Sequence, residues 1–99
     1  MSGRLHARSG VLSGADFAGK QTIRIGSGAD VDVRIEAPGV LPLHATISRE
    51  GDRLLLAAES PDASGGTWLN GRLMVTREPL QHLDVITIGR GVDLIYLAT

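Results

Sequence analysis

Apolar residues recur in this chain at every second position, in runs too short for anything but β-strands. Ile23 and Ile25 alternate with Thr22 and Arg24. Val31, Val33 and Ile35 alternate with Asp32 and Arg34, Ala45 and Ile47 with Thr46 and Ser48, and Ile86 and Ile88 flank Thr87. A period of two is that of a strand with one face buried. Leu54-Leu55-Leu56-Ala57-Ala58 is a continuous apolar run, as expected of a strand covered on both faces or of a central one. Val92 to Leu97 supplies a last strand. No segment keeps a helical period for three turns. Turn formers separate the runs: Gly28-Ala29-Asp30, Ala37-Pro38-Gly39, Glu50-Gly51-Asp52, Ser60-Pro61-Asp62 and Gly89-Arg90-Gly91. Asn70-Gly71, between Trp68-Leu69 and Leu73-Met74, predicts a hairpin, because both turn residues tolerate positive φ. Short strands with turns at this spacing indicate a β-sandwich or barrel.

A chain of 99 residues is expected to form one domain, 1–99, around one small core. Only 3% of residues are aromatic, so Val, Ile and Leu must fill it. A formal charge of −1 excludes a basic protein that grips nucleic acid by bulk electrostatics. With no cysteine there is no disulfide or thiolate chemistry, and three scattered histidines give no zinc spacing. The start has no apolar run of the signal-peptide kind, and nothing approaches the ~20 apolar residues of a membrane-spanning helix. A cytoplasmic location is therefore expected. One lysine against nine arginines suits a GC-rich bacterial genome. Ser, His and Asp are present, but no order or spacing suggests a hydrolase triad, so neither enzyme activity nor a cofactor is expected. Gly26-Ser27-Gly28 reads as a glycine turn between strands, since no helix follows to make it a phosphate cradle.

Four short motifs frame the middle of the chain: Ile25-Gly26, His44-Ala45, Gly66-Thr67-Trp68-Leu69-Asn70-Gly71 and Asp84-Val85-Ile86-Thr87-Ile88-Gly89. Together they resemble the forkhead-associated (FHA) domain family from about Leu5 to Leu97. The resemblance implies an all-β, FHA-like antiparallel sandwich of about ten to eleven short strands that binds phosphothreonine peptides through loops at one end. The family's site maps onto Gly26, Ser27, Leu41, Pro42, His44, Ser64, Gly65, Thr67 and Asn70. An arginine that binds phosphate follows the Gly26 position in the family; here it is Ser27. The family's serine–basic–any–histidine tetrad reads Leu41-Pro42-Leu43-His44, and only the histidine, a loop brace, remains. Where the family has Ser/Thr-Asn-Gly-Thr, this chain has Ser64-Gly65-Gly66-Thr67.

These losses bear on the phosphate, which carries about −1.5 to −2 charge and needs a fixed cation fork plus donors. Each charge-assisted hydrogen bond contributes roughly 1.5–3 kcal/mol. Losing arginine, serine and asparagine together then costs on the order of three decades in affinity. Leu41 has no side-chain donor and Pro42 lacks even the backbone N–H. Arg24, Arg34 and Arg90 are the candidate substitute cations, against the plainer reading of solvated surface arginines. In the run Val40-Leu41-Pro42-Leu43, Val40 is expected to be buried and Leu41 exposed. Phe17 is expected to plug the loop after the first strand. Three readings follow: an FHA-type protein–protein interaction module in signalling or assembly with a degenerate, phosphate-independent site; a phosphothreonine-peptide reader using substitute arginines; and a structural or self-associating domain.

Overall fold

The structure, a computed structural model, describes residues 3–7, 15–16, 21–51, 53–59 and 66–98. The expectations for Phe17, Ser64 and Gly65 fall outside these residues. Among those described there are eleven strands and no helix: β1 Gly3–Ala7, β2 Ala15–Asp16, β3 Thr22–Gly26, β4 Val33–Arg34, β5 Ala45–Glu50, β6 Arg53–Ala58, β7 Thr67–Leu69, β8 Arg72–Leu73, β9 Glu78–Pro79, β10 Val85–Ile88 and β11 Val92–Ala98. They form a six-stranded sheet in the order β2-β1-β11-β10-β7-β8 and a five-stranded sheet in the order β4-β3-β5-β6-β9.

The alternation in the sequence becomes the two inner faces. Ile23, Ile25, Ala45, Ile47, Leu54 and Leu56 come from the five-stranded sheet. Leu5, Leu69, Ile86, Ile88, Val92, Leu94 and Tyr96 come from the six-stranded one. Burying each large aliphatic chain contributes about 1.5–3 kcal/mol. With so few rings available, the core is a mosaic of branched aliphatic groups around one buried tyrosine. The apolar run in β6 belongs to a central strand, between β5 and β9. Leu54 and Leu56 point inward while Leu55 is half-buried on the outer face. Burial pushes the Tyr96 hydroxyl pKa up, and the positive charge of Arg49 partly offsets this.

One pairing departs from the antiparallel expectation. Strands β3 and β4 run parallel, with Ile25 opposite Val33 and Gly26 opposite Arg34. The chain doubles back after Gly26, so that Asp32 lies level with Arg24. The Asp32 N–H donates to the Arg24 carbonyl at 2.9 Å, and the Arg24 N–H donates to Asp32 Oδ2 at 2.9 Å. From there the chain can only advance alongside β3 in the same direction. The Asn70-Gly71 hairpin forms as expected between β7 and β8, with φ of 52° and 84°.

Candidate functional site

The loops at the Gly26 end of the sandwich meet backbone to backbone. A β-carbon at Gly26 would collide with the Pro42 carbonyl oxygen, so only glycine lets the two segments touch. Two hydrogen bonds stitch them together, Ser27 N–H to the Leu41 carbonyl at 2.9 Å and Gly28 N–H to the Pro42 carbonyl at 3.1 Å. The Ser27 hydroxyl turns inward as well, donating to the Val40 carbonyl at 3.1 Å. Its donors are thus directed at neighbouring backbone.

His44 is 2% exposed and uses both ring nitrogens. Nδ1 accepts from the Leu41 N–H at 3.1 Å, so the ring proton resides on Nε2, which donates to the Gly66 carbonyl at 2.5 Å. The Gly66 carbonyl also accepts from the Gly89 N–H at 3.3 Å. Gly66 has φ of 51°, and a β-carbon there would lie 2.7 Å from the Trp68 ring. The indole, itself half-buried, therefore covers a residue that ties three loops together. The Arg90 turn joins the same assembly, its N–H donating to the Pro38 carbonyl at 3.2 Å.

The structure gathers Gly26, Ser27, Leu41, Pro42 and His44 at this end. Thr67 lies beneath them, 2% exposed, and presents no free surface to a ligand. Asn70 does not join them. It sits at the other end of β7, where Nδ2 donates to Asp84 Oδ1 at 3.0 Å and Oδ1 accepts from the Val85 N–H at 2.9 Å. Its side chain holds the turn to the neighbouring strand. Within the apolar loop, Val40 packs against the core only partly buried, and Leu41 is half-buried where exposure was expected. The reason is that both peptide groups of Leu41 are bonded inward, to His44 and Ser27. Pro42 and Leu43 are the exposed members, Leu43 at 37% because it alternates with the inward-facing His44.

The three candidate arginines differ. Arg34 binds Glu36 at 2.8 Å and directs Nε toward the Ser27 carbonyl at 3.4 Å, so its guanidinium lies beside the loop but is engaged. Arg90 is exposed, its stem passing over Gly39. Arg24 stands on the outer face of β3 and borders a groove of about 470 Å³ lined also by Gly28, Ala29, Asp30, Val31, Pro42 and Leu43. Sequence reasoning singled out Arg24 but not this groove; the turn residues Gly28-Ala29-Asp30 were its only trace. Among the described residues no three metal-ligating side chains cluster, and no helix is long and apolar enough to cross a membrane.

No curated protein matches in sequence. Among solved structures, an FHA domain studied for phosphothreonine-dependent interactions is 26% identical, with a TM-score of 0.86 over 100% of this chain and 98% of that one. The FhaA FHA domain, solved with the intracellular domain of Rv3910, is 29% identical, with a TM-score of 0.79 over 96% and 99% of the two chains. The N-terminal FHA domain of Rad53p from S. cerevisiae, solved with a phosphothreonine peptide, shares the fold at 20% identity, with a TM-score of 0.87 over 100% and 94%. The FHA domain model matches residues 23–89, more than half the chain. With two sheets in this topology, a buried histidine bracing the loops and a family model spanning the core motifs, the chain belongs to the FHA domain family.

Proposed function

We propose that this domain is a protein–protein interaction module whose loop end engages its partner without depending on phosphate. FHA domains are interaction modules, generally dependent on phosphothreonine. The observation that carries the departure is the inward Ser27: where the resemblance calls for a phosphate-binding arginine, a short hydroxyl is bonded to the Val40 carbonyl at 3.1 Å. Around it the surface offers Pro42, which has no N–H, and Leu43, whose side chain brings neither donor nor charge for a dianion. A phosphate there would be desolvated by apolar atoms without compensating bonds. The module acts as one domain over 1–99, without enzymatic activity, in signalling or assembly in a bacterial cytoplasm. The cysteine-free, arginine-rich composition supports that setting.

A phosphothreonine reader with substitute cations is the second reading. It draws on Arg24 and Arg90, whose guanidinium groups have no side-chain partner among the described residues. An amide-resolved NMR titration with a degenerate phosphothreonine peptide pool and its unphosphorylated twin separates the two. The same shifts with both pools, or with neither, are expected. Shifts confined to Gly26–Gly28 and Leu41–His44 that require the phosphate would overturn the proposal in favour of the second reading.

A further inference from the structure

The groove beside the loop end is built from two segments that are stitched together before any partner arrives. Ser27 and Gly28 bond Leu41 and Pro42, and Asp32 is paired with Arg24 through both backbone and carboxylate. Little ordering cost is then left for binding. Its volume of about 470 Å³ suits one large side chain with its flanking backbone. Val31, Pro42 and Leu43 give it apolar walls, and Leu43 remains 37% exposed although both its neighbours in the chain are anchored.

The charges on its rim differ from those held in ion pairs elsewhere on the surface. Arg34 is paired with Glu36, Arg72 with Glu78 and Arg77 with Glu50. Arg24 and Asp30 line the groove, both exposed, and neither has a side-chain partner among the described residues. The groove therefore presents one cation and one anion around an apolar centre. Such a rim does not suit a phosphate dianion, which would meet a single arginine and a like-charged carboxylate. It suits a zwitterionic segment whose carboxylate faces Arg24 and whose cation faces Asp30.

Resting on the phosphate-independent reading above, we infer that this groove receives an extended, unphosphorylated segment of a partner protein, an apolar side chain against Val31, Pro42 and Leu43 flanked by one acidic and one basic residue. The two charges fix the direction in which the segment runs. The apolar side chain supplies the contact area, and the ion pairs supply selectivity more than affinity.

Two capped peptides test it by amide-resolved NMR titration, Gly-Glu-Gly-Leu-Gly-Lys-Gly and Gly-Lys-Gly-Leu-Gly-Glu-Gly. One should bind about threefold tighter than the other, the size of an exposed ion pair, with shifts at Gly28, Ala29, Asp30, Val31 and Leu43. In the double variant Arg24→Glu/Asp30→Lys the preference should invert. Both positions are exposed, so the fold should be kept, and an unchanged amide pattern in the core strands checks it. Absence of shifts at Ala29–Val31, or a preference that survives the charge exchange, sinks the groove inference alone and leaves the loop-end reading standing. A peptide with phosphothreonine in place of Glu that binds tighter and shifts Ser27, Leu41 and His44 would instead sink the phosphate-independent reading and the groove inference with it.

Discussion

At the end of the sandwich that carries the 70–71 and 81–84 turns, Arg72 holds Glu78, Arg77 holds Glu50, and Asn70 and Asp84 hold each other. At the opposite end Arg24, Asp30 and Arg90 are left without side-chain partners among the described residues, beside an exposed Leu43. Side chains also brace backbone at both ends: Asn70 clamps the 84–85 segment, and His44 ties Leu41 to Gly66. The difference shows where this domain keeps its surface chemistry. The turn end holds two ion pairs and the Asn70–Asp84 bond within the chain, with Arg53 exposed beside them. The loop end satisfies its backbone and leaves charges and apolar groups facing outward, as a docking surface requires.

The largest test of that contrast is His44→Ala. It removes a buried ring and strands the Leu41 N–H and the Gly66 carbonyl, so a loss of about 2–4 kcal/mol is expected by denaturant melts. Hydrogen exchange should accelerate across 38–43 and 66–67 while the turn end stays protected. Uniform acceleration would mean that the two ends are one cooperative unit. Asn70→Ala should cost less, about 1–2 kcal/mol, because it leaves the Val85 N–H unbonded and puts alanine at a φ of 52°. Peptide shifts at the loop end should be unaffected; a change there would reconnect Asn70 with the binding surface. Leu83→Gly should move stability the other way. This leucine holds a φ of 73° with 60% exposure, so glycine relieves strain at little packing loss, a gain of about 0.5–1 kcal/mol. A loss instead would show that the side chain packs in solution.

The smallest effect is confined to alkaline pH. The Tyr96 pKa is raised in the folded chain, so the stability tied to its neutral form is complete below the unfolded value of 10.0 and fades as pH rises beyond it. As the sole tyrosine, its ionisation can be followed directly by absorbance. Tyrosinate should appear together with unfolding. Its appearance in a still-folded domain would mean that the turn end opens locally around β11.

The fold was largely legible in the sequence because its cause is local. Alternation at Ile23/Ile25 and Ile86/Ile88 and the Asn70-Gly71 turn are fixed by side-chain period and backbone permissiveness. The parallel β3–β4 pair was not, because it depends on Asp32 reaching back to Arg24 across a loop. His44 as a satisfied brace followed from the family resemblance. Asn70 was grouped with the loop residues through motif adjacency, although a three-residue strand carries it to the other end. The groove was invisible because its walls, 28–31 and 42–43, meet only after folding. The same holds for ion pairs such as Arg77–Glu50, whose partners are 27 residues apart.

The indole over Gly66 makes the domain its own optical sensor. Trp68 is the sole tryptophan, and it rests on the residue through which His44 and Gly89 connect the loops. Any occupant that shifts this junction alters the surroundings of the only indole in the chain. Emission colour and quenching would then report docking on unlabelled protein, before the partner has a name.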